Sequence, residues 1–302
     1  MERGFITIAT GKEEYYQMAY NLLRSYRHFC RSPLPFAILC DRKNEYTEHF
    51  DTALQFEGGA SCSYLDKLAL ADQAPFDETI FIDADCLAYG DLNDLFKYFA
   101  EADDVSCFGR VLALDDKTGW FEYENLGELQ SKVGFVVGLH GGIYYIRKTE
   151  KAKRVFNTAR GLIPDYAKFR FKGKFNNPGD EPLVALAMAI EDCRPVPFAN
   201  EAITCYWEYE NKIDLDITKG KASIDKPGCG SILLVHWGTR FTRELEYKKQ
   251  IELLDIVDSG VDNAEAEIRK CNRKYKRLIA SKKTKLFAEK VKRKVKRLMH
   301  IK

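Results

Sequence analysis

The chain has 302 residues, 45% hydrophobic and 30% charged, the composition of a soluble globular protein with enough sequence for one large domain or two small ones. No run approaches the ~18 apolar residues of a membrane-spanning helix, and Met1-Glu2-Arg3-Gly4 leads into a strand pattern instead of a signal peptide. The formal net charge of +2 hides an asymmetry: residues 263–302 carry 16 Lys/Arg and 3 Glu, a net of +13, leaving 31 Lys/Arg against 42 Asp/Glu, a net of −11, on residues 1–262.

Residues 5–10 predict a first strand, and residues 13–29 a helix with Tyr16, Ala19, Tyr20, Leu23 and Tyr26 on one face. Pro33 and Pro35 end it, and residues 36–40 predict a second strand that runs into Asp41. A helix over 61–71 and a strand over 79–82 follow, then a short helix over 94–100 and strands over 105–108 and 142–146. The last of these begins in the cluster Gly138-Leu139-His140-Gly141-Gly142. A helix over 149–159 precedes a basic, aromatic loop over 169–178, and residues 182–190 predict another helix just after Gly179-Asp180-Glu181. A late strand over 231–235 ends in His236-Trp237-Gly238. Alternating strands and helices predict an α/β class with a mostly parallel sheet over residues 1–262.

The segment from Thr79 to Leu87 carries most of the chemistry. An apolar run of the kind buried on both faces ends in Asp83-Ala84-Asp85. Carboxylates there stand where an open sheet meets solvent and binds ligands, and two of them can hold a divalent cation. Asp-x-Asp also arises by chance. The second copy, Asp214-Leu215-Asp216, alternates with Ile213 and Ile217 and reads as the wet face of a half-exposed strand. Asp180 and Glu181 read either as acidic residues complementing a helix N-terminus or as catalytic carboxylates. Lys67 reads as an ordinary helix lysine or as a phosphate ligand, and His236 as a core histidine or a metal ligand. His140, next to two glycines, reads as structural.

In this order the motifs resemble a GT-A-fold glycosyltransferase, most closely the family-8 type that uses nucleotide-diphosphate sugars. The resemblance covers roughly residues 4–245 and implies a Rossmann-like, mostly parallel mixed sheet flanked by helices. It implies that Ala9 and Thr10 meet the nucleoside, that Lys67 approaches the diphosphate, and that Asp83, Asp85 and His236 hold Mn²⁺ or Mg²⁺. It also implies that Gly142 and Gly238 line the donor site and that Asp180 and Glu181 sit beside donor and acceptor. His140 stands where the family commonly has Asn, and the family's late Lys-Pro-Trp is absent. The implied activity moves a hexose from a UDP-sugar to a saccharide or glycolipid acceptor, with retention. A sugar-phosphate nucleotidyltransferase is the neighbouring alternative. It expects a glycine-rich basic loop after the first strand, where this chain has Thr10-Gly11-Lys12-Glu13. A non-enzymatic membrane-surface protein acting through its tail is the other alternative.

That tail, residues 263–302, reads as basic and helical. One stripe is formed by Ile268, Cys271, Tyr275, Leu278 and Ile279, and another by Phe287, Val291, Val295, Leu298 and Met299, with residues 281–284 between them as a break. Phosphate contact alone needs neither Phe nor Met, so the pattern predicts an anionic membrane surface as partner in preference to nucleic acid. Nine dispersed cysteines without metal-type spacing predict reduced thiols, and so a cytoplasmic, peripherally membrane-associated protein.

Overall fold

A computed structural model describes residues 1–171, 178–210, 212–225 and 230–299, with side chains left out of the description for residues 286 and 295–299. Most of the loop expected over 169–178 lies outside the described residues. The strands are β1 (Arg3–Ala9), β2 (Phe36–Cys40), β3 (Thr52–Gln55), β4 (Glu78–Ile82), β5 (Cys86–Ala88), β6 (Val105–Ser106), β7 (Phe108–Leu112), β8 (Val136–Leu139), β9 (Ile143–Arg147), β10 (Val196–Pro197), β11 (Ile203–Cys205), β12 (Ile213–Asp216), β13 (Lys221–Ile224) and β14 (Leu234–His236). The helices are α1 (Glu13–Phe29), α2 (Leu70–Gln73), α3 (Leu95–Tyr98), α4 (Glu150–Gly161), α5 (Asp180–Ile190), α6 (Leu245–Asp258) and α7 (Ala264–Met299).

The central sheet runs β3-β2-β1-β4-β9-β6, with the first four strands parallel and β9 antiparallel to both β4 and β6. Period-two alternation sorts its side chains onto two faces. Phe5, Phe36, Ile38, Ile80, Ile82 and Tyr145 pack towards α1. Ile6, Leu39, Phe81, Tyr144 and Ile146 pack towards α4 and α5. Both faces are therefore covered, which is why β2 and β4 read as unbroken apolar runs.

A smaller sheet, β11-β14-β5, stands beside the C-terminal end of β4. β14 runs parallel to β11 and antiparallel to β5, with Cys205, His236 and Cys86 in one row across the three strands. Trp237, Leu253 and Leu254 join this sheet and α6 to the start of α7, where Cys271 and Tyr275 are buried.

Three expectations need correction. Residues 64–69 form a 3₁₀ turn before α2 instead of one long helix, because Ser63 caps Leu65 N–H and Asp66 is drawn off to Thr10 and Ser61. The strand expected over 105–108 divides at Cys107: β6 pairs with β9, whereas β7 pairs with β8. The tail has no break, because α7 runs unbroken through residues 281–284. Thr284 is accommodated by donating its hydroxyl to the Ala280 carbonyl one turn back (3.1 Å). Asp214-Leu215-Asp216 lies on the hairpin strand β12, with Leu215 buried and Asp214 exposed and paired with Lys221.

Candidate functional site

Asp83-Ala84-Asp85 is the crossing between the two sheets. β4 ends at Ile82, β5 begins at Cys86, and Cys86 N–H closes the turn on the Asp83 carbonyl (3.1 Å). Both aspartates are also fixed through the backbone. Asp83 N–H donates to the Gly142 carbonyl and Trp237 N–H donates to the Asp85 carbonyl, each at 3.0 Å. Because β14 pairs with β5 so that His236 lies opposite Cys86, the imidazole is delivered beside the turn. His236 Nε2 stands 3.0 Å from Asp85 Oδ1 and 3.7 Å from Asp83 Oδ2. Thr239 donates its hydroxyl to Asp85 Oδ2 (3.2 Å).

Lys67, only 12% exposed at its side chain, bridges two carboxylates. Its Nζ lies 2.9 Å from Asp83 Oδ1 and 3.2 Å from Asp180 Oδ2, and donates to the Gly141 carbonyl (3.0 Å). Burial alone would lower its pKa, but Asp180 and Asp83 outweigh burial and hold the ammonium charged. Tyr144 donates to Asp180 (2.9 Å), and Gly141 N–H donates to Glu181 Oε1 (2.8 Å). The carboxylates that open α5 are thus engaged by neighbouring elements. Burial, then the Asp180 charge, pushes Glu181 up to about 7.

The aspartates differ. Burial raises Asp83 above the ordinary carboxyl range despite Lys67 and His236. Burial also acts upward on Asp85, but the charge and hydrogen bond of His236 prevail and hold it low. His236 moves the opposite way: burial lowers it, Asp85 raises it, and the net shift is upward. His140 is pushed down to about 3 by burial and by the charges of His236 and Lys67, so it is neutral.

Two adjoining cavities, of about 270 and 240 Å³, share Tyr64, Lys67, Asp83, Asp85 and Thr239. The first reaches Thr10, Tyr15, Met18 and Asp66. The second is lined by His140, Gly142, Asp180, Glu181, Trp207, His236 and Gly238, among others. Of the residues expected from sequence, only Ala9 turns its side chain away. Alternation along β1 sends Ile8 and Thr10 to the cavity and the Ala9 methyl into the core beneath α1. Sequence reasoning missed Thr239, Tyr144, Asp66 and Trp207. Thr239 adjoins the His236-Trp237-Gly238 motif and was within reach of a longer reading. Trp207, 41% exposed at the rim, carries no sequence signal.

Gly142 and Gly238 are glycines for stated reasons. A Cβ on Gly142 would lie 2.6 Å from His140 Cε1 and 2.8 Å from His236 Nδ1. Gly238 has φ +70° and sits against Trp207.

The donor set suits a divalent cation. Asp83, Asp85 and Asp180, with Glu181 partly protonated near neutral pH, face one lysine and one imidazole, which leaves the cleft short of positive charge. Among the described residues, the groups whose donor atoms all lie within 4.8 Å of one another are Asp85/Cys86/His236 and His140/Cys205/His236.

No family model and no curated protein matches the chain. Solved structures do. The galactosyltransferase LgtC in complex with donor and acceptor sugar analogs superimposes with a TM-score of 0.51 at 11% identity, covering 78% of this chain and 87% of that one. An active-site mutant of LgtC gives 0.51 at 10% identity over 90% and 95%. Mouse xyloside xylosyltransferase 1 gives 0.47 at 11% identity over 80% and 99%. At such identity the LgtC likeness is one of fold: the chain has the GT-A architecture, a mostly parallel mixed sheet flanked by helices.

Proposed function

We propose that the chain is a metal-dependent glycosyltransferase that moves a hexose from a UDP-sugar to a saccharide or lipid-linked saccharide acceptor. The observation that carries the reading is the meeting of Asp83, Asp85 and His236 at the open end of the sheet, with Lys67 between Asp83 and Asp180. The fold shared with a galactosyltransferase solved with donor and acceptor sugar analogs supports it.

The residues divide the work along the cleft. Asp83, Asp85 and His236 would hold the cation, and mixed carboxylate and imidazole ligation favours Mn²⁺ over Mg²⁺. Bound there, the cation supplies neutralisation of charge growing on the departing diphosphate. Lys67 adds a fixed point charge to the same oxygens and is already desolvated, so little reorganisation is needed. Thr10, oriented by Asp66 (3.0 Å), marks the nucleoside end. Asp180, held by Tyr144 and Lys67, accepts hydrogen bonds from sugar hydroxyls, whereas Glu181 with a proton near neutral pH can donate as well as accept. Retention is carried from the family-8 resemblance; in an inverting enzyme Asp180 or Glu181 would be the general base. The nucleotidyltransferase alternative is disfavoured because β1 and α1 are joined by Thr10-Gly11-Lys12 alone.

The second part of the proposal places the enzyme on a membrane surface from the cytoplasmic side. No described helix is long and apolar enough to cross a membrane. Beyond its docked start, α7 exposes Phe287 (69%) and Val291 (45%) among Lys285, Lys290, Lys292, Arg293 and Lys294. That pattern suits an interfacial helix on anionic lipid. The described cysteines are free thiols, as a reducing compartment requires.

Calorimetric titration with UDP tests the core of the reading. Binding should require Mn²⁺ and vanish in Asp85→Asn. Equal UDP binding with and without Mn²⁺ would overturn it. Nuclear magnetic resonance of the product anomer decides retention.

A further inference from the structure

The His236 imidazole faces two ways. Nε2 points to Asp85, while Nδ1 lies 3.2 Å from His140 Nε2, itself 2.9 Å from Cys205 Sγ. Around a tetrahedral Zn²⁺, with bonds of about 2.0 Å to nitrogen and 2.3 Å to sulfur, neighbouring ligand atoms stand roughly 3.3–3.6 Å apart. The three donor atoms all lie within 4.8 Å of one another, so small movements complete such a cluster. Each is fixed by a different element. Cys205 and His236 are paired across β11 and β14, and His140 N–H is tied to the Phe108 carbonyl (3.0 Å). The set contains a thiol and two imidazoles but no carboxylate, the choice of a soft cation. The Trp207 ring flanks both histidines, with centroids 5.0 Å from His236 and 6.4 Å from His140. Both histidines line the second cavity, which leaves a fourth position open to water.

We infer that His140 Nε2, His236 Nδ1 and Cys205 Sγ form a second cation site, for a thiophilic dication of the Zn²⁺ class, whose occupation excludes the hard cation from His236. On binding, metal–sulfur and metal–nitrogen bonds replace the Cys205 S–H bond and the Nδ1–H bond of the charged His236 ring, and the protons leave to water. His140 carries its proton on Nδ1 instead of Nε2 and gives up the bond from Gly142 N–H (3.2 Å). His236 keeps its proton on Nε2, donated to Asp85. That proton occupies the lone pair that a cation at Asp83 and Asp85 would need. The competition rests on the function proposed above; the thiophilic site does not.

Cobalt(II) is the probe, used on the full chain with the exposed Cys62 replaced (Cys62→Ser). One equivalent should give a thiolate-to-cobalt charge-transfer band, tetrahedral visible bands and the release of up to two protons, one from Cys205 and one from His236 Nδ1. Cys205→Ser and Cys205→Ala should lose the charge-transfer band, and Cys86→Ser should keep it. Absence of the band in the parent protein, its survival in a folded Cys205 variant, or its loss only in Cys86→Ser overturns the site. One equivalent of Zn²⁺ should weaken Mn²⁺ binding, read by water-proton relaxation, by about tenfold or more, and leave the Cys205 variants unaffected. Mn²⁺ binding indifferent to Zn²⁺ removes the competition. Cobalt bands as expected in a protein that never binds Mn²⁺ preserve this site and sink the proposed function instead.

Discussion

Lys67 holds together charges that would otherwise repel. With its ammonium replaced by a thioether, as in Lys67→Met, Asp83 and Asp180 remain buried without their shared partner. The expected cost is about 3–5 kcal/mol of stability, read by urea denaturation, together with loss of UDP binding. Glu181 gives a pH-dependent test. Its carboxyl is pushed up to about 7 from an ordinary 4.5, so the folded state binds its proton more tightly than the unfolded chain. Its contribution is therefore favourable to folding at low pH and is lost as pH rises between those two values. Glu181→Gln, which mimics the protonated form, should be more stable than the parent at pH 8 by up to about 3 kcal/mol. The advantage should disappear by about pH 4. Equal stability differences at both pH values would show that Glu181 is not held protonated. Asp83, Asp85, Asp180 and Glu181 were legible in sequence because carboxylates at a strand end or helix start stand out against apolar neighbours. Tyr144 was not, since its hydroxyl reaches Asp180 from the interior of a strand that reads as core.

The elements explain why two short segments 150 residues apart make one site. β4 enters the turn from the central sheet, β5 leaves it in the small sheet, and β14 brings His236 alongside by antiparallel pairing. Gly142 closes the gap from β9, and its missing side chain leaves room for both histidine rings. Gly142→Ala should displace His236, cost about 1–3 kcal/mol and weaken Mn²⁺-dependent UDP binding. Gly134→Ala, whose added methyl meets nothing within 4 Å, is the matched control. Comparable loss of UDP binding in both variants would mean that the Gly142 clash is not the cause. Local pattern made α1, β2 and β4 readable, α1 by its apolar helical stripe and the two strands as short unbroken apolar runs. It failed at residues 64–69 and 105–108 because Asp66 and Cys107 answer to partners far along the chain. The small sheet was equally hidden: three-residue strands such as β5 and β11 are too short to show a period.

At the scale of the whole molecule, charge and packing divide α7 into two unlike parts. Its first turns belong to the body, with Cys271 and Tyr275 buried against α6 and Lys274 paired with Glu252 (2.5 Å). Lys282 still reaches back to Glu244, and after it the described apolar side chains face solvent among lysines. The boundary expected at residue 263 from charge alone lies just before α7 begins, whereas the change from docked to exposed turns comes later, within α7; composition reports charge but not which turns are docked. Removing residues 263–302 would take Cys271 and Tyr275 out of the buried cluster that holds Leu253 and Leu254, so it cannot isolate the tail. Phe287→Ser with Val291→Ser leaves every lysine and every docked residue in place. Burial of those two side chains in lipid would stabilise association by about 1.5–3 kcal/mol each, so the double variant should sediment with anionic vesicles at least tenfold more weakly. The parent's own binding should fall with salt, because the lysines supply the electrostatic part. Vesicle binding unchanged in the double variant but abolished by salt would assign the tail to charge alone and remove the interfacial helix.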